Sequence, residues 1–213
     1  MTKRTRIKIC GITNTEDARC AVNAGVDAIG MIFASKSPRR IDPEKAREIV
    51  SGVPPFVDIV GVFVNEDPAM VNDIVKYCSL TVVQLHGTED AEYCRSLAVR
   101  VLKAVSVHDE TTTADFLPYA DAVSGFLLDT YHPEMAGGTG RSFDWRIFES
   151  LQIPRPFLLA GGLSPANIVE AIQVVRPFGV DVNSGVESEP GRKDHGMISD
   201  VIQLVMDTDR SLA

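Results

Sequence analysis

Two short stretches of the sequence end on a side chain that can take part in chemistry. RIKIC, residues 6–10, ends at Cys10 and is followed by the turn-forming residues Gly-Ile-Thr, whereas FLLD ends at Asp129. A thiol at a strand end can be a reactive group aimed into a site, or a small buried hydrophobic residue. A desolvated carboxyl group has a raised pKa and can donate a proton, whereas in a polar loop it is a turn or cap residue. Both alternatives stay open for Cys10 and for Asp129.

Two glycine-bearing stretches indicate a site for a phosphate. LLAGGLSPANI places Gly161 and Gly162 before a helix that we expect to begin at Ser164-Pro165, and DVNSGVES places Ser184 and Gly185 after an apolar run. Glycine lets the backbone approach a ligand closely, and backbone N–H groups at a helix start bind anions. The alternative is that both stretches are only tight turns.

Other polar groups also follow apolar runs. SKSPRR, residues 35–40, carries three cations, and an arginine such as Arg39 or Arg40 can hold a carboxylate through two parallel hydrogen bonds. His86 ends the run TVVQLH, where it either lines a pocket or is a hydrogen-bonded core histidine. GGTG ends at Gly140 and is either a flap or a third contributor to the phosphate site. Since no other histidine ends a predicted strand, we expect no metal centre.

The elements that must position these residues alternate along the chain. Short runs rich in Val, Ile, Leu and Phe have the near-continuous apolar character of parallel strands buried on both faces. The predicted strands are RIKIC (6–10), DAIGMIF (27–33), DIVGVFV (58–64), TVVQLH (81–86), RVLKAVS (100–106), AVSGFLLD (122–129), PFLLA (156–160) and FGVDV (178–182).

Helix signals lie between these runs. Capping residues precede mixed segments with apolar residues at helical spacing, and several have proline at the first helical position. The predicted helices cover 14–24, begin at Asp42-Pro43, Asp67-Pro68 and Thr88-Glu89, lie near 111–119, and begin at Asp144, Ser164-Pro165 and Asp194.

Eight strand–helix units in about 200 residues predict an α/β fold, a single (β/α)₈ TIM barrel that forms one catalytic domain over residues 1–213. The alternative, a doubly wound open sheet, lacks a GxGxxG after the first strand. Active sites of such barrels lie at the carboxyl ends of the strands, and phosphate often binds between the loops after strands seven and eight. This rule brings Cys10, His86, Asp129 and Asp181 to one mouth.

Composition limits the classes of partner. The formal net charge is −8, which argues against binding to nucleic acid or to an anionic membrane. The start MTKRTRIKIC lacks the apolar core of a signal peptide, and no apolar run approaches the roughly 20 residues of a membrane span. The four cysteines form no CxxC pair. We therefore expect a cytoplasmic protein with a small-molecule ligand, a monomer with a homodimer as the alternative.

A set of motifs resembles one known family over essentially the whole length. In chain order they are KICGIT (8–13), SPR (37–39), GVFVN (61–65), QLHG (84–87), LLDT (127–130), GGTG (137–140), AGGL (160–163) and DVNSGVE (181–187). In these motifs the chain resembles the phosphoribosylanthranilate isomerases of tryptophan biosynthesis.

The resemblance implies a (β/α)₈ barrel, a cofactor-free Amadori rearrangement and specific roles for residues. N-(5-phosphoribosyl)anthranilate would become 1-(2-carboxyphenylamino)-1-deoxyribulose 5-phosphate. Asp129 matches the general acid that protonates the furanose ring oxygen, and Cys10 matches the general base that takes the C2 proton. Arg39 matches the anchor of the anthranilate carboxylate, and His86 and Asp181 match residues lining the pocket.

The chain departs from the family pattern at two positions. Arg40 stands where an aromatic residue often follows the anchoring arginine, so either Arg39 or Arg40 could hold the carboxylate. Asn183 stands where serine is frequent. Two rival classes stay open: another phosphosugar barrel enzyme, such as a synthase with a catalytic lysine or a metal-dependent epimerase, and a barrel that binds a phosphorylated ligand without turnover. Lys103, the candidate lysine, falls inside predicted strand five and not at its end.

Overall fold

The barrel is closed by eight parallel strands that pair in sequence order, with the first strand hydrogen-bonded to the last. The structure, a computed structural model, describes residues 4–130 and 145–213. The strands are β1 (Arg6–Ile9), β2 (Ala28–Ile32), β3 (Asp58–Phe63), β4 (Val82–Leu85), β5 (Arg100–Ser106), β6 (Gly125–Asp129), β7 (Phe157–Ala160) and β8 (Gly179–Val182). The predicted fold class is confirmed, and each predicted strand is present with ends shifted by a few residues at most.

Helices fill most of the connections between strands. They are α1 (Thr15–Ala24), α2 (Pro43–Val50), α3 (Pro68–Cys78), α4 (Ala91–Arg95), α5 (Ile168–Val175) and α6 (His195–Ser211). Two short antiparallel strands, β9 (Glu187–Glu189) and β10 (Arg192–Lys193), lie between β8 and α6. None of the helices in the described ranges is long and apolar enough to cross a membrane.

The helix starts follow from capping chemistry. The side chain of Asn14 accepts a hydrogen bond from the Asp17 N–H, and that of Asp42 accepts one from the Lys45 N–H, so each satisfies a backbone donor that the helix itself leaves free. Gly25 ends α1 with φ of 99°, a conformation that glycine adopts without steric cost.

Three predicted helices differ from those observed. The fourth begins at Ala91 behind Asp90 as its cap, because Glu89 turns into the protein. The fifth is replaced by two 3₁₀ turns, Thr113–Asp115 and Leu117–Tyr119. The seventh begins at Ile168, since Asn167 and not Ser164 stands at its cap position, while Ser164 opens a preceding turn.

Asp144, the predicted cap of the sixth helix, lies outside the described residues. The chain after it forms the 3₁₀ helix Trp145–Ser150.

A buried ion pair supports the wall of the barrel between β3, β4 and β5. The Lys103 ammonium lies 3.0 Å from the Glu89 carboxylate and donates to the Gly87 carbonyl at 2.6 Å. Glu89 also accepts from the N–H groups of Asn65 at 2.7 Å and Gly87 at 2.9 Å. Burial alone would raise the pKa of Glu89, but these hydrogen bonds and the lysine charge outweigh it and hold its pKa below the ordinary value.

Replacing Glu89 with glutamine should lower the free energy of unfolding by about 3 kcal/mol at pH 7, because the buried Lys103 loses its counter-charge. Since folding lowers the pKa of Glu89, its contribution is complete above the unfolded-state pKa of about 4.3 and is lost as pH falls through the folded value. Urea unfolding should therefore show the difference between Glu89→Gln and wild type shrinking below about pH 4.

Glu48→Gln is the matched control, because Glu48 pairs with Lys45 on an exposed helix face. It should change the free energy of unfolding by less than about 0.5 kcal/mol at either pH. A Glu89 variant as stable as this control would show that the buried pair does not support the barrel wall.

Candidate active site

One cavity at the carboxyl ends of the strands brings the predicted site residues together. Its volume is about 440 Å³. The predicted residues that line it are Cys10, Arg39, His86, Asp129, Gly161, Gly162, Asp181, Ser184 and Gly185. Gly140, the remaining predicted phosphate contact, lies outside the described residues. The structure therefore brings to one cavity nine of the residues that the strand-end rule and the motifs predicted.

Cys10 lies at the mouth because the turn after it is anchored on two sides. Its N–H donates to the Val182 carbonyl on β8, and the Ile12 N–H donates to the Gly30 carbonyl on β2, both at 2.9 Å. Gly11 between them has φ of 72°, and a Cβ atom there would lie 2.5 Å from Asn183 Oδ1. The turn thus requires glycine for its backbone conformation and for its close packing.

The Cys10 side chain is only 3% exposed and lies beside a buried ion pair. Lys8, two residues earlier on the same face of β1, donates to Asp181 Oδ1 on β8 at 2.8 Å. Burial raises the pKa of the Cys10 thiol above its ordinary value, and the charge of Lys8 only partly offsets that effect. Asp181 further raises this pKa, while Lys193 lowers it.

Asp129 is in contact with His86 on the opposite side of the mouth. His86 Nε2 lies 3.4 Å from Asp129 Oδ2, and Gln84 Nε2 lies 3.3 Å from His86 Nδ1. A hydrogen bond from Gln84 to Nδ1 leaves the ring proton on Nε2, the nitrogen that faces Asp129. Among described side chains, Gln84 Oε1 is the one fully buried polar atom without a hydrogen-bond partner.

Arg39 is held at the rim by a second carboxylate. Its Nε and Nη2 both donate to Glu187, with the shortest contact at 2.6 Å, and Lys193 donates to the same carboxylate at 2.9 Å. Burial raises the pKa of Glu187, but the hydrogen bonds from Arg39 and Lys193 outweigh it and lower that pKa below its ordinary value. Arg40 is exposed and does not line the cavity. The geometry therefore favours Arg39 as the carboxylate anchor.

The glycine turns after β7 and β8 lie against each other. A Cβ atom at Gly185 would lie 1.9 Å from the Leu163 carbonyl oxygen, so only glycine permits this approach. Gly161 and Gly162 have φ of 98° and 64°, and within the described residues their N–H groups have no hydrogen-bond partner. Free N–H groups on a tight turn are suited to bind a phosphate.

Sequence reasoning missed four buried polar residues of this site, namely Lys8, Gln84, Glu187 and Lys193. For two of them the signal was present, because side chains two apart on a strand face the same way. Lys8 stands two residues before Cys10, and Gln84 stands two residues before His86. Glu187 and Lys193 lie on the short β9–β10 hairpin, whose contact with Arg39 depends on tertiary structure.

The fold and the site define a (β/α)₈-barrel enzyme that performs acid–base chemistry on an anionic small molecule. A model of the N-(5'-phosphoribosyl)anthranilate (PRA) isomerase family matches residues 7–204. The chain belongs to this family, whose members catalyse an Amadori rearrangement in tryptophan biosynthesis.

Individual relatives agree over nearly the full length. The N-(5'-phosphoribosyl)anthranilate isomerase of Trichlorobacter lovleyi is 50% identical over 93% of this chain and 96% of its own. A crystal structure of a phosphoribosylanthranilate isomerase with reduced 1-(o-carboxyphenylamino)-1-deoxyribulose 5-phosphate is 44% identical, covers 95% of this chain and 99% of its own, and has a TM-score of 0.81. A structure of monomers generated from the dimeric Thermotoga maritima enzyme is 41% identical, covers 95% and 98%, and has a TM-score of 0.78.

Gly30 on β2 tests how tightly the Cys10 side chain is packed. A Cβ atom there would lie 2.8 Å from Cys10 Sγ and 3.1 Å from Lys8 Nζ. Gly30→Ala should therefore displace the thiol and lower kcat at least about tenfold, because a misplaced catalytic group loses much of its effect. Gly52→Ala is the matched control, since its Cβ would meet nothing nearer than the Ile49 carbonyl at 3.7 Å. Equal kcat values for the two variants would contradict the packing described for Cys10.

Proposed function

We propose that the chain carries out the reaction of its family with Cys10 as general base and Asp129 as general acid. N-(5'-phosphoribosyl)anthranilate is converted to 1-(2-carboxyphenylamino)-1-deoxyribulose 5-phosphate. The observation that carries the assignment is that one cavity is lined by a thiol, a carboxylic acid, an arginine and two glycine turns. These are the groups needed to remove a proton, to supply one, to hold a carboxylate and to hold a phosphate.

The proton transfers balance between the two groups. Asp129 donates a proton to the furanose oxygen while the nitrogen lone pair opens the ring, which leaves a protonated Schiff base at C1. The Cys10 thiolate removes the C2 proton, and the electrons of that bond form the C1–C2 double bond of an enolamine. C1 then gains a proton and the C2 hydroxyl loses one, which gives the ketone. The sequence is redox-neutral and requires no electron carrier.

The charges of the site fit the two ends of this substrate. Arg39 is oriented by Glu187 through Nε and Nη2, so its remaining donors are available to the anthranilate carboxylate. The N–H groups of Gly161 and Gly162, together with the turn at Ser184 and Gly185, are assigned to the phosphate. In this proposal the reacting ribose lies between Cys10, directly after β1, and the acid at the end of β6.

The rival classes fit the site less well. A synthase would need a lysine free to act, but Lys103 is 3% exposed and donates to Glu89 and to the Gly87 carbonyl. Among the described residues, no cluster of three or more His, Cys, Asp or Glu side chains could hold the metal of an epimerase. A barrel that binds its ligand without turnover is the remaining rival, and kinetics distinguish it.

We also propose a domain organisation, a cellular location, a class of partner and an oligomeric state for the chain. We assign the whole chain to one catalytic domain, place it in the cytoplasm and give it a small-molecule substrate with no nucleic-acid or membrane partner. The sequence favours a monomer over a homodimer. One feature favours the homodimer: Phe56, in the turn before β3, is fully exposed and has φ of 73°. A relative from Thermotoga maritima is described as dimeric. Sedimentation velocity decides between the masses of one and two chains.

Cys10→Ser and Asp129→Asn test the assigned roles. Each should lower kcat for freshly prepared phosphoribosylanthranilate by at least about a thousandfold, because each removes the group that transfers one proton. The loss of substrate fluorescence measures the rate, and the affinity for the product should change little.

Cys20→Ser is the matched control for the thiol, since Cys20 lies on α1 outside the cavity. It should keep the wild-type rate. Near-normal turnover in either active-site variant would remove that residue from its role. Wild-type protein that binds product but leaves substrate decay at the spontaneous rate would overturn the isomerase assignment.

A further inference from the structure

A lysine ammonium is enclosed in the barrel where its first and last strands meet. Lys8 is 2% exposed, and β1 pairs with β8 in a register that places Lys8 opposite Asp181. The 2.8 Å contact between Nζ and Asp181 Oδ1 uses one of three ammonium donors. An enclosed ammonium with one carboxylate partner is costly to maintain, since replacing such a pair with apolar residues is often neutral or stabilising.

Lys8 also lies against the thiol of Cys10. Both side chains project from β1 into the barrel because they are two residues apart. A Cβ atom added to Gly30 on the neighbouring strand would meet Cys10 Sγ at 2.8 Å and Lys8 Nζ at 3.1 Å, so both atoms pack on the same glycine. The Lys8 ammonium is therefore close enough for its charge to lower the pKa of the Cys10 thiol against the effect of burial.

The charged groups around Cys10 do not cancel when the cysteine is a neutral thiol. The cations are Lys8 on β1, Arg39 after β2 and Lys193 on β10. The anions are Asp181, paired with Lys8, and Glu187, which is shared by Arg39 and Lys193. In the free protein, before the carboxylate assigned to Arg39 binds, three cations face two anions, so the cluster has one positive charge to spare. A thiolate at Cys10 would balance it.

We propose that Lys8 is a positioning residue whose fixed ammonium is the counter-charge of the Cys10 thiolate during removal of the C2 proton. The inference rests on the proposed function, in which Cys10 is the base. Lys8 keeps its three protons throughout, so no bond to it forms or breaks. The thiol first gives its proton to solvent, and the resulting thiolate then takes the C2 proton of the substrate and becomes a thiol again.

The physical need for such a charge follows from burial. A thiolate enclosed in apolar surroundings is disfavoured, and burial raises the pKa of Cys10, whereas the Lys8 charge acts in the opposite direction. Asp181 limits this effect, because its carboxylate attracts the same Lys8 ammonium. The Lys8 ammonium, held by Asp181, therefore stays in place beside Cys10 in the free enzyme, while Cys10 is still a thiol.

The test is the pH dependence of kcat/KM in Lys8→Met and Lys8→Gln. Both remove the charge; methionine keeps the length of the side chain, and glutamine keeps an N–H donor for Asp181. The rising limb of the kcat/KM profile, which reports formation of the Cys10 thiolate, should shift to higher pH by about 2 units. At pH 8 the rate should fall about a hundredfold and then recover about tenfold per pH unit, since the thiolate fraction grows with pH. Alkylation of Cys10 by iodoacetamide, read by peptide mass spectrometry, should shift in parallel.

Lys103→Met is the matched control, because Lys103 is also a buried lysine paired with a carboxylate, but at Glu89 and away from the thiol. It should lower stability while leaving the limb in place. If Lys8→Met fails to fold, Lys8→Gln alone decides the outcome. A loss of kcat/KM that is equal at every pH, with an unmoved limb, would show that Lys8 is only structural and would overturn the proposal.

Separate results test the assignment of Cys10 as the base and the role of Lys8. If Cys10→Ser keeps the wild-type rate, the proposed base is wrong, whatever Lys8 does. If Cys10→Ser is inactive and the Lys8 variants keep the wild-type limb, the base assignment stands and the role of Lys8 is refuted.

Discussion

A barrel has no free sheet edge only if its first strand pairs with its last, and here that pairing encloses the ion pair between Lys8 and Asp181. The register of β1 on β8 places these two residues opposite each other. A shift of β1 by one residue would turn Lys8 to the other face of the sheet and leave Asp181 inside the barrel without its partner. The same register places Cys10, two residues beyond Lys8, at the mouth, with its N–H bonded to Val182. The pairing of β1 with β8 thus determines both how the barrel closes and where the Cys10 thiol lies.

The rest of the site depends on charges that are held before any ligand arrives. Glu187 orients Arg39 and is itself held by Lys193, so the Arg39 guanidinium has little freedom to lose when a ligand binds. Gln84 and His86 form a comparable chain toward Asp129. Buried polar groups of this kind need partners. We attribute their presence at the mouth to proton transfer on a substrate with two anionic groups, and not to stability.

The sequence was sufficient for the fold and for a set of residues that line one cavity, because strand periodicity, cap residues and the strand-end rule are local signals. RIKIC and FLLD marked strand ends that the structure brings to one cavity. Local signals failed where a residue had a distant partner. Glu89 looked like part of a helix start but turns inward to Lys103, and Ser164-Pro165 looked like a cap although Asn167 takes that position. The position of Lys8 two residues before Cys10 is a local signal, but its pairing with Asp181, 173 residues away, depends on tertiary structure.

We expect Cys10 to rest as a thiol, surrounded by fixed charges that stabilise its thiolate when it forms. Carbon-13 NMR of protein labelled at cysteine Cβ, with the Cys10 signal assigned from Cys10→Ser, reports its ionisation directly between about pH 6 and 11. The account predicts one titration with a pKa above the ordinary cysteine value, as burial dictates. A Cys10 signal that is already that of a thiolate at neutral pH, or a pKa below the ordinary value, would contradict it.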